Sequence, residues 1–156
     1  MNSRTTNPSA LRAERVDYVA GHLLGHAALL TRLLVRQVPP DVSRTEAGVL
    51  RTLTEQPRRI TELAELEGLS QPTMTLLVQR LEQRGWVERT RYPDDGRVVL
   101  VSLTDAGSTA LEGFRTQVLA ALRSHLDAMA DEEIAELEAA TQTLGSLVDA
   151  LQSRVA

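Results

Sequence analysis

ITELAELEGLSQPTMTLLVQRLEQRGWVERTRYPDDGRVVLVSLTDAG, residues 60–107, decides the fold. Its first half has helical spacing, interrupted by single glycines. Thr61 can cap a short helix carrying Leu63, Ala64 and Leu66, and Gly68 closes it. Ser70 caps a second helix running to about Arg84, where Gly85 supplies the next stop. Only Leu69 separates Gly68 from Ser70, and two short helices joined by a tight Gly-containing turn predict a helix-turn-helix. The period then falls from 3.6 to 2. Residues 86–91 (WVERTR) and 97–103 (RVVLVSL) read as strands, and Tyr92-Pro93-Asp94-Asp95-Gly96 supplies the turn between them. A two-stranded hairpin is marginal alone, so it must lean on the helices as a wing.

Working outward, Ser43-Arg44-Thr45-Glu46 reads as a capping box that opens a helix with Ala47, Leu50 and Leu53 inward and Pro57 at its end. From Leu11 to about Arg36, the residues Val16, Val19, Leu23, Leu24, Ala27, Leu30 and Leu34 recur at helical spacing until Pro39-Pro40. Downstream, Thr104-Asp105 starts a helix with Leu111, Phe114, Val118, Leu122 and Leu126 on one face. Asp131-Glu132-Glu133 opens a last helix, as the macrodipole prefers, with Ile134, Leu137, Leu144, Leu147, Val148 and Leu151 as its stripe.

Composition agrees. A chain of 156 residues suits one compact domain, and 42% apolar with 24% charged residues suits a soluble globular protein. Aromatics make up only 3% while leucine abounds, which favours stacked helices over a β-sandwich. The absence of cysteine removes disulfides, thiolate metal sites, cysteine nucleophiles and thiol redox sensing. His22, His26, Arg32 and Arg36 interrupt the longest apolar stretch, so no membrane span is expected. The first ten residues lack a signal-peptide h-region, and a cytoplasmic location is expected.

Net charge is −4, which argues against a generic nucleic-acid binder, but its distribution matters more. Residues 1–57 carry seven Arg against five acids, residues 58–97 seven of each, and residues 98–156 three Arg against nine acids. The acid is concentrated at the end, leaving the middle free to approach a polyanion. Every Lys/Arg position is Arg, the better fork for phosphate and guanine, although a GC-rich genome produces the same bias.

At 100° per residue, Met74, Leu77, Val78 and Leu81 share one face of the helix after Ser70. Pro72, Leu76 and Gln79 point away, flanked by Thr73, Thr75 and Arg80, with no acid before Glu82. Ser70 and Gln71 lie at the N-terminus, where free N–H groups and the dipole favour phosphate. This face suits a DNA major groove. The bland alternative is a capping serine followed by a solvated helix face. Arg89, Arg91 and Arg97 stand on the two strands of the wing, where a narrow minor groove attracts arginine. Their bland alternative is surface ion pairing.

The motifs ITELA, GLSQPTMT, RLE, RGWVER, PDDGR and LTDAG, in this order within residues 60–107, resemble those of MarR-family transcriptional regulators. The resemblance extends over about residues 11–152. It implies a winged helix-turn-helix homodimer, bridged by its terminal helices, whose DNA binding is often relieved by a small ligand. It also implies that Arg97 enters the minor groove with Asp95 holding its guanidinium, Asp94 being the alternative partner. Leu76 stands where the family often has arginine, and could touch thymine methyls instead.

The expected fold is therefore mainly α with a small β-hairpin wing, an α+β winged helix-turn-helix over residues 43–107. Residues 11–38 and 108–156 are expected to form a helical dimerisation region, and residues 1–10 a flexible arm. A single helix-turn-helix reads few base pairs, whereas a dimer reads two half-sites a turn apart, so a homodimer on a near-palindromic operator is expected. The expected DNA contacts are Ser70, Gln71, Pro72, Thr73, Thr75, Leu76, Gln79, Arg80, Arg89, Arg91, Asp95 and Arg97.

For the effector, the family implies a small aromatic acid or phenol. Zinc is the weaker alternative: His22 and His26 are four apart, His125 is a distant third, and Asp17 or Asp127 could complete a set. The bland reading makes these surface or interface histidines. A winged-helix module that binds protein through the acidic C-terminal helices is a second alternative. No phosphate loop, nucleophile elbow or His-Glu-x-x-His is present, so no enzyme is expected.

Overall fold

The computed structural model describes residues 8–39, 41–92 and 95–155. The chain divides into two compact units, Met1–Val118 and Leu119–Ala156.

Helix α1, Pro8–Val35, opens at Pro8 rather than Leu11, because proline's fixed φ suits the first turn of a helix. Residues 8–10 thus join the helix instead of the arm. Among its described residues only Leu34 is buried, while Val16, Val19, Leu24 and Leu30 lie exposed. Ser9–Val35 is long and apolar enough to cross a membrane by length and composition. Arg32 sits in its last turn, where such a side chain can reach an interface, and Arg36 lies beyond it.

Helix α2, Arg44–Leu53, carries the expected capping box. Ser43 Oγ accepts the Glu46 N–H at 3.2 Å, and the Glu46 carboxylate accepts the Ser43 N–H at 2.8 Å. A two-residue strand β1, Arg58–Arg59, then leads into helix α3, Ile60–Leu66. The N-cap is Arg59, not Thr61, because the strand leaves Arg59 extended (φ −73, ψ 153) and Glu62 accepts its N–H at 3.0 Å. Gly68, at φ +64, lets the Leu69 N–H reach the Ala64 carbonyl at 2.8 Å, a left-handed stop that any Cβ would strain. Helix α4, Gln71–Gln83, follows from its Ser70 cap.

Strands β2, Val87–Tyr92, and β3, Asp95–Leu103, form the wing, and the sheet order is β1-β3-β2, antiparallel throughout. The hairpin is thus a three-stranded sheet. Arg58 pairs with Val101 and Arg59 with Leu100, so β3 is hydrogen-bonded along both edges. That second partner offsets the weakness of a lone hairpin. β3 starts at Asp95 rather than Arg97, with a register irregularity between Arg91 and Tyr92.

The core joins α2, α3, α4 and the sheet through Val49, Leu50, Leu63, Met74, Leu81 and Val101. Fully burying such side chains stabilises by roughly 1.5–3 kcal/mol each. Helix α5, Asp105–Leu126, is fastened to the end of α4 by Thr104. The Thr104 hydroxyl donates to the Gly85 carbonyl at 2.6 Å and accepts the Gly107 N–H at 3.1 Å, while the Thr104 N–H donates to the Trp86 carbonyl at 3.1 Å.

In the second unit, helix α6, Asp131–Val155, begins with Asp131, Glu132 and Glu133, and Glu133 accepts the Ala130 N–H at 3.0 Å. Leu137, Leu144, Leu147, Val148 and Leu151 lie exposed along it.

Candidate nucleic-acid interface

Two sides of α4 have opposite fates. Met74, Leu77, Val78 and Leu81 are buried, which turns Gln71, Pro72, Thr73, Leu76, Gln79 and Arg80 outward, all exposed. Leu76 is 62% exposed. Thr75 is half-buried at the edge of this face.

The hydroxyls on this face are partly engaged. Ser70 Oγ and Thr73 Oγ1 lie 2.7 Å apart, so they share one hydrogen and keep one to donate outward. Thr75 Oγ1 donates to the Gln71 carbonyl at 2.9 Å, which leaves its lone pairs to accept. Gln79 keeps a full amide, able to pair bidentately with adenine. The helix N-terminus is less open than the sequence suggested. Pro72 has no N–H, Thr73 gives its own to Ser70 Oγ at 3.4 Å, and Met74 gives its own to the Ser70 carbonyl at 3.0 Å.

Arg89 and Arg91 lie on β2 at the same parity as buried Val87, so all three share one side of the strand. Arg91 is exposed. Arg89 instead pairs with Glu82 of α4, Nε to Oε2 3.2 Å. Asp94 and the side chains of Asp95 and Arg97 lie outside the described residues, and so does the pairing expected between them.

The family model described as MarR family matches residues 42–99, the span from α2 through most of β3. YpoP, an uncharacterized helix-turn-helix transcriptional regulator of Bacillus subtilis, is 31% identical over 98 residues, 62% of this chain and 70% of that protein. The chain belongs to the MarR family. Wild-type MarR from E. coli superposes with a TM-score of 0.63 at 26% identity, over 80% of this chain and 95% of that one. CouR from Rhodococcus jostii, solved with bound p-coumaroyl-CoA, gives 0.56 at 26% identity, over 80% and 90%. The chain is thus a DNA-binding transcriptional regulator, from a family of regulators and not of enzymes. MarR-family regulators are soluble DNA-binding proteins.

What sequence reading missed in this MarR-family chain are the ties that hold α4 in place. Arg84 lies 3.5 Å over the Trp86 ring, stands 3.6 Å from buried Glu46, and donates to the Asp41 carbonyl. One guanidinium thereby fastens the end of α4 to the start of α2. The Arg84-Trp86 spacing after a helix stop was the available signal for the stacking. The Glu82–Arg89 pair had none, because the turn between α4 and β2 sets how closely the two residues approach.

Among the described residues, no group of three or more His, Asp or Glu side chains is placed to hold a metal. His22 stacks on Tyr18 at 4.3 Å between ring centroids, its Nδ1 lies 2.7 Å from the Tyr18 carbonyl, and the His26 ring centroid is 6.0 Å away. A cavity of about 180 Å³ is lined by Pro39, Asp41, Val42, Trp86, Ala110 and Phe114, among others.

Proposed function

We propose that this MarR-family regulator binds a near-palindromic operator as a cytoplasmic homodimer, and that a small aromatic or phenolic effector releases it as a repressor. The observation that carries the reading is the outward face of α4. It has hydroxyl, amide and guanidinium groups at Thr73, Gln79 and Arg80, opposed to a fully buried apolar side. In this reading α4 enters the major groove, Ser70, Gln71, Pro72, Thr75 and Leu76 line the contact, and the wing reaches the adjoining minor groove. Arg97 enters that groove with Asp95 as its orienting partner, and Arg89 and Arg91 serve phosphates.

Thr73→Ala and Gln79→Ala are expected to lose discrimination at particular operator positions, by about 1–3 kcal/mol per readout contact. Arg97→Ala is expected to weaken all sequences alike. Binding measured on a panel of single-base operator variants separates the two. A uniform loss for Thr73 and Gln79 would rule out direct readout.

Dimerisation is supported by the apolar residues that α1 and α6 leave exposed. Large apolar side chains left exposed along a helix fit an interaction site. Residues 11–38 and 108–156 would supply it, and residues 43–107 the DNA-binding domain. Sedimentation is expected to give twice the chain's 17.1 kDa. A 17.1 kDa particle at micromolar concentration would refute the two-fold arrangement.

The effector reading rests on the cavity whose walls include Trp86 and Phe114, aromatic rings suited to stack on an aromatic acid. It also draws on CouR, whose bound ligand carries an aromatic acyl group.

A further inference from the structure

We propose that Glu82 competes with DNA phosphate for Arg89, and thereby sets how well this regulator discriminates its operator from bulk DNA. The inference rests on the docking of α4 proposed above. Glu82 is the sole acid in α4, two turns after Thr75 on the same edge of the outward face. Unpaired, it would repel the backbone of any DNA lying along that edge. Its partner Arg89 projects from β2 across the 3.2 Å Nε to Oε2 contact, with the two side chains 29% and 41% exposed. Among the described residues, Arg89 makes no other ion pair. The 3.2 Å contact is made through Nε, and the guanidinium carries Nη donors besides.

A half-exposed ion pair is a weak bond. Phosphate offers Arg a charge-assisted, often bidentate alternative. On the operator, the base contacts of α4 hold the duplex in register, and a phosphate fixed beside β2 can take Arg89 from Glu82. On unrelated DNA the complex is loose and depends on counterion release. There Arg89 stays with Glu82 and contributes little. The pair therefore suppresses non-specific binding more than specific binding.

The test uses the full chain, fluorescence anisotropy, and two labelled duplexes, the operator and a scrambled sequence, between 50 and 200 mM salt. Glu82→Gln is nearly isosteric at a half-exposed position and leaves the fold intact. It is expected to tighten scrambled-DNA binding by roughly tenfold and to steepen its salt slope by about two per dimer, one for each freed Arg89. Operator affinity should rise less, so discrimination falls. In an Arg89→Ala background the gain should vanish. Glu88→Gln removes an exposed acid from the opposite side of β2 and should give a smaller, non-selective gain. Equal tightening on both duplexes, or a gain that persists without Arg89, would show that Glu82 acts only as bulk charge and overturns the proposal. Weaker binding by Glu82→Gln overturns it too, since Glu82 would then orient Arg89. Unchanged base preference in Thr73→Ala and Gln79→Ala signals a different failure, that of the α4 docking itself.

Discussion

Gly107→Ala is expected to destabilise this regulator by about 3 kcal/mol or more and to lower its melting temperature by roughly 6–12 °C. A Cβ at position 107 would stand 2.0 Å from the Trp86 carbonyl oxygen and 2.8 Å from Leu103 Cδ1. The oxygen belongs to backbone and cannot swing aside. That same carbonyl accepts the Thr104 N–H, so relieving the clash pulls on the latch between α4 and α5. Helix propensity alone gives the opposite sign, since alanine is better than glycine by about 1 kcal/mol inside a helix. Thermal unfolding followed by circular dichroism decides between the two. A melting temperature equal to or above that of the parent chain would mean that α5 does not approach Trp86 this closely.

Raising salt from 50 to 200 mM is expected to weaken operator binding about a thousandfold. The figure is a lower bound from about six neutralised phosphates per dimer, with Arg80, Arg91 and Arg97 contributing from each protomer at a slope of about −0.9 for each, and Arg89 adds to it where operator phosphate takes it from Glu82. The chain as a whole carries −4, so general attraction to a polyanion cannot supply this dependence. It must come from arginines placed at the interface. Arg80→Ala should flatten the slope by about two per dimer. An operator affinity that hardly changes across this salt range would favour the protein-binding alternative for the winged helix.

Local signals made most of the fold legible. The Ser43-Glu46 capping box, the Ser70 cap and the stops at Gly68 and Gly85 depend on residues within a few positions of each other, and each lies where its spacing predicted. The outward face of α4 was equally legible, because burial of Met74, Leu77, Val78 and Leu81 at helical spacing leaves the rest exposed. β1 escaped notice for the opposite reason. Two residues cannot display a period, and Arg58–Arg59 becomes a strand only because β3 offers a free edge. The start of α3 shifted with it, from a Thr61 cap to Arg59.

By itself, the sequence determined the caps and stops of the winged domain's helices except the start of α3, which side of α4 turns outward, and the family whose motifs it carries. Those properties follow from short-range sterics, capping and periodicity. Tertiary structure alone decided that Glu82 holds Arg89, that Arg84 binds α4 to α2, and that position 107 admits no side chain. These contacts depend on distances set by chain segments folding back across turns, and no spacing along the chain encodes such a distance.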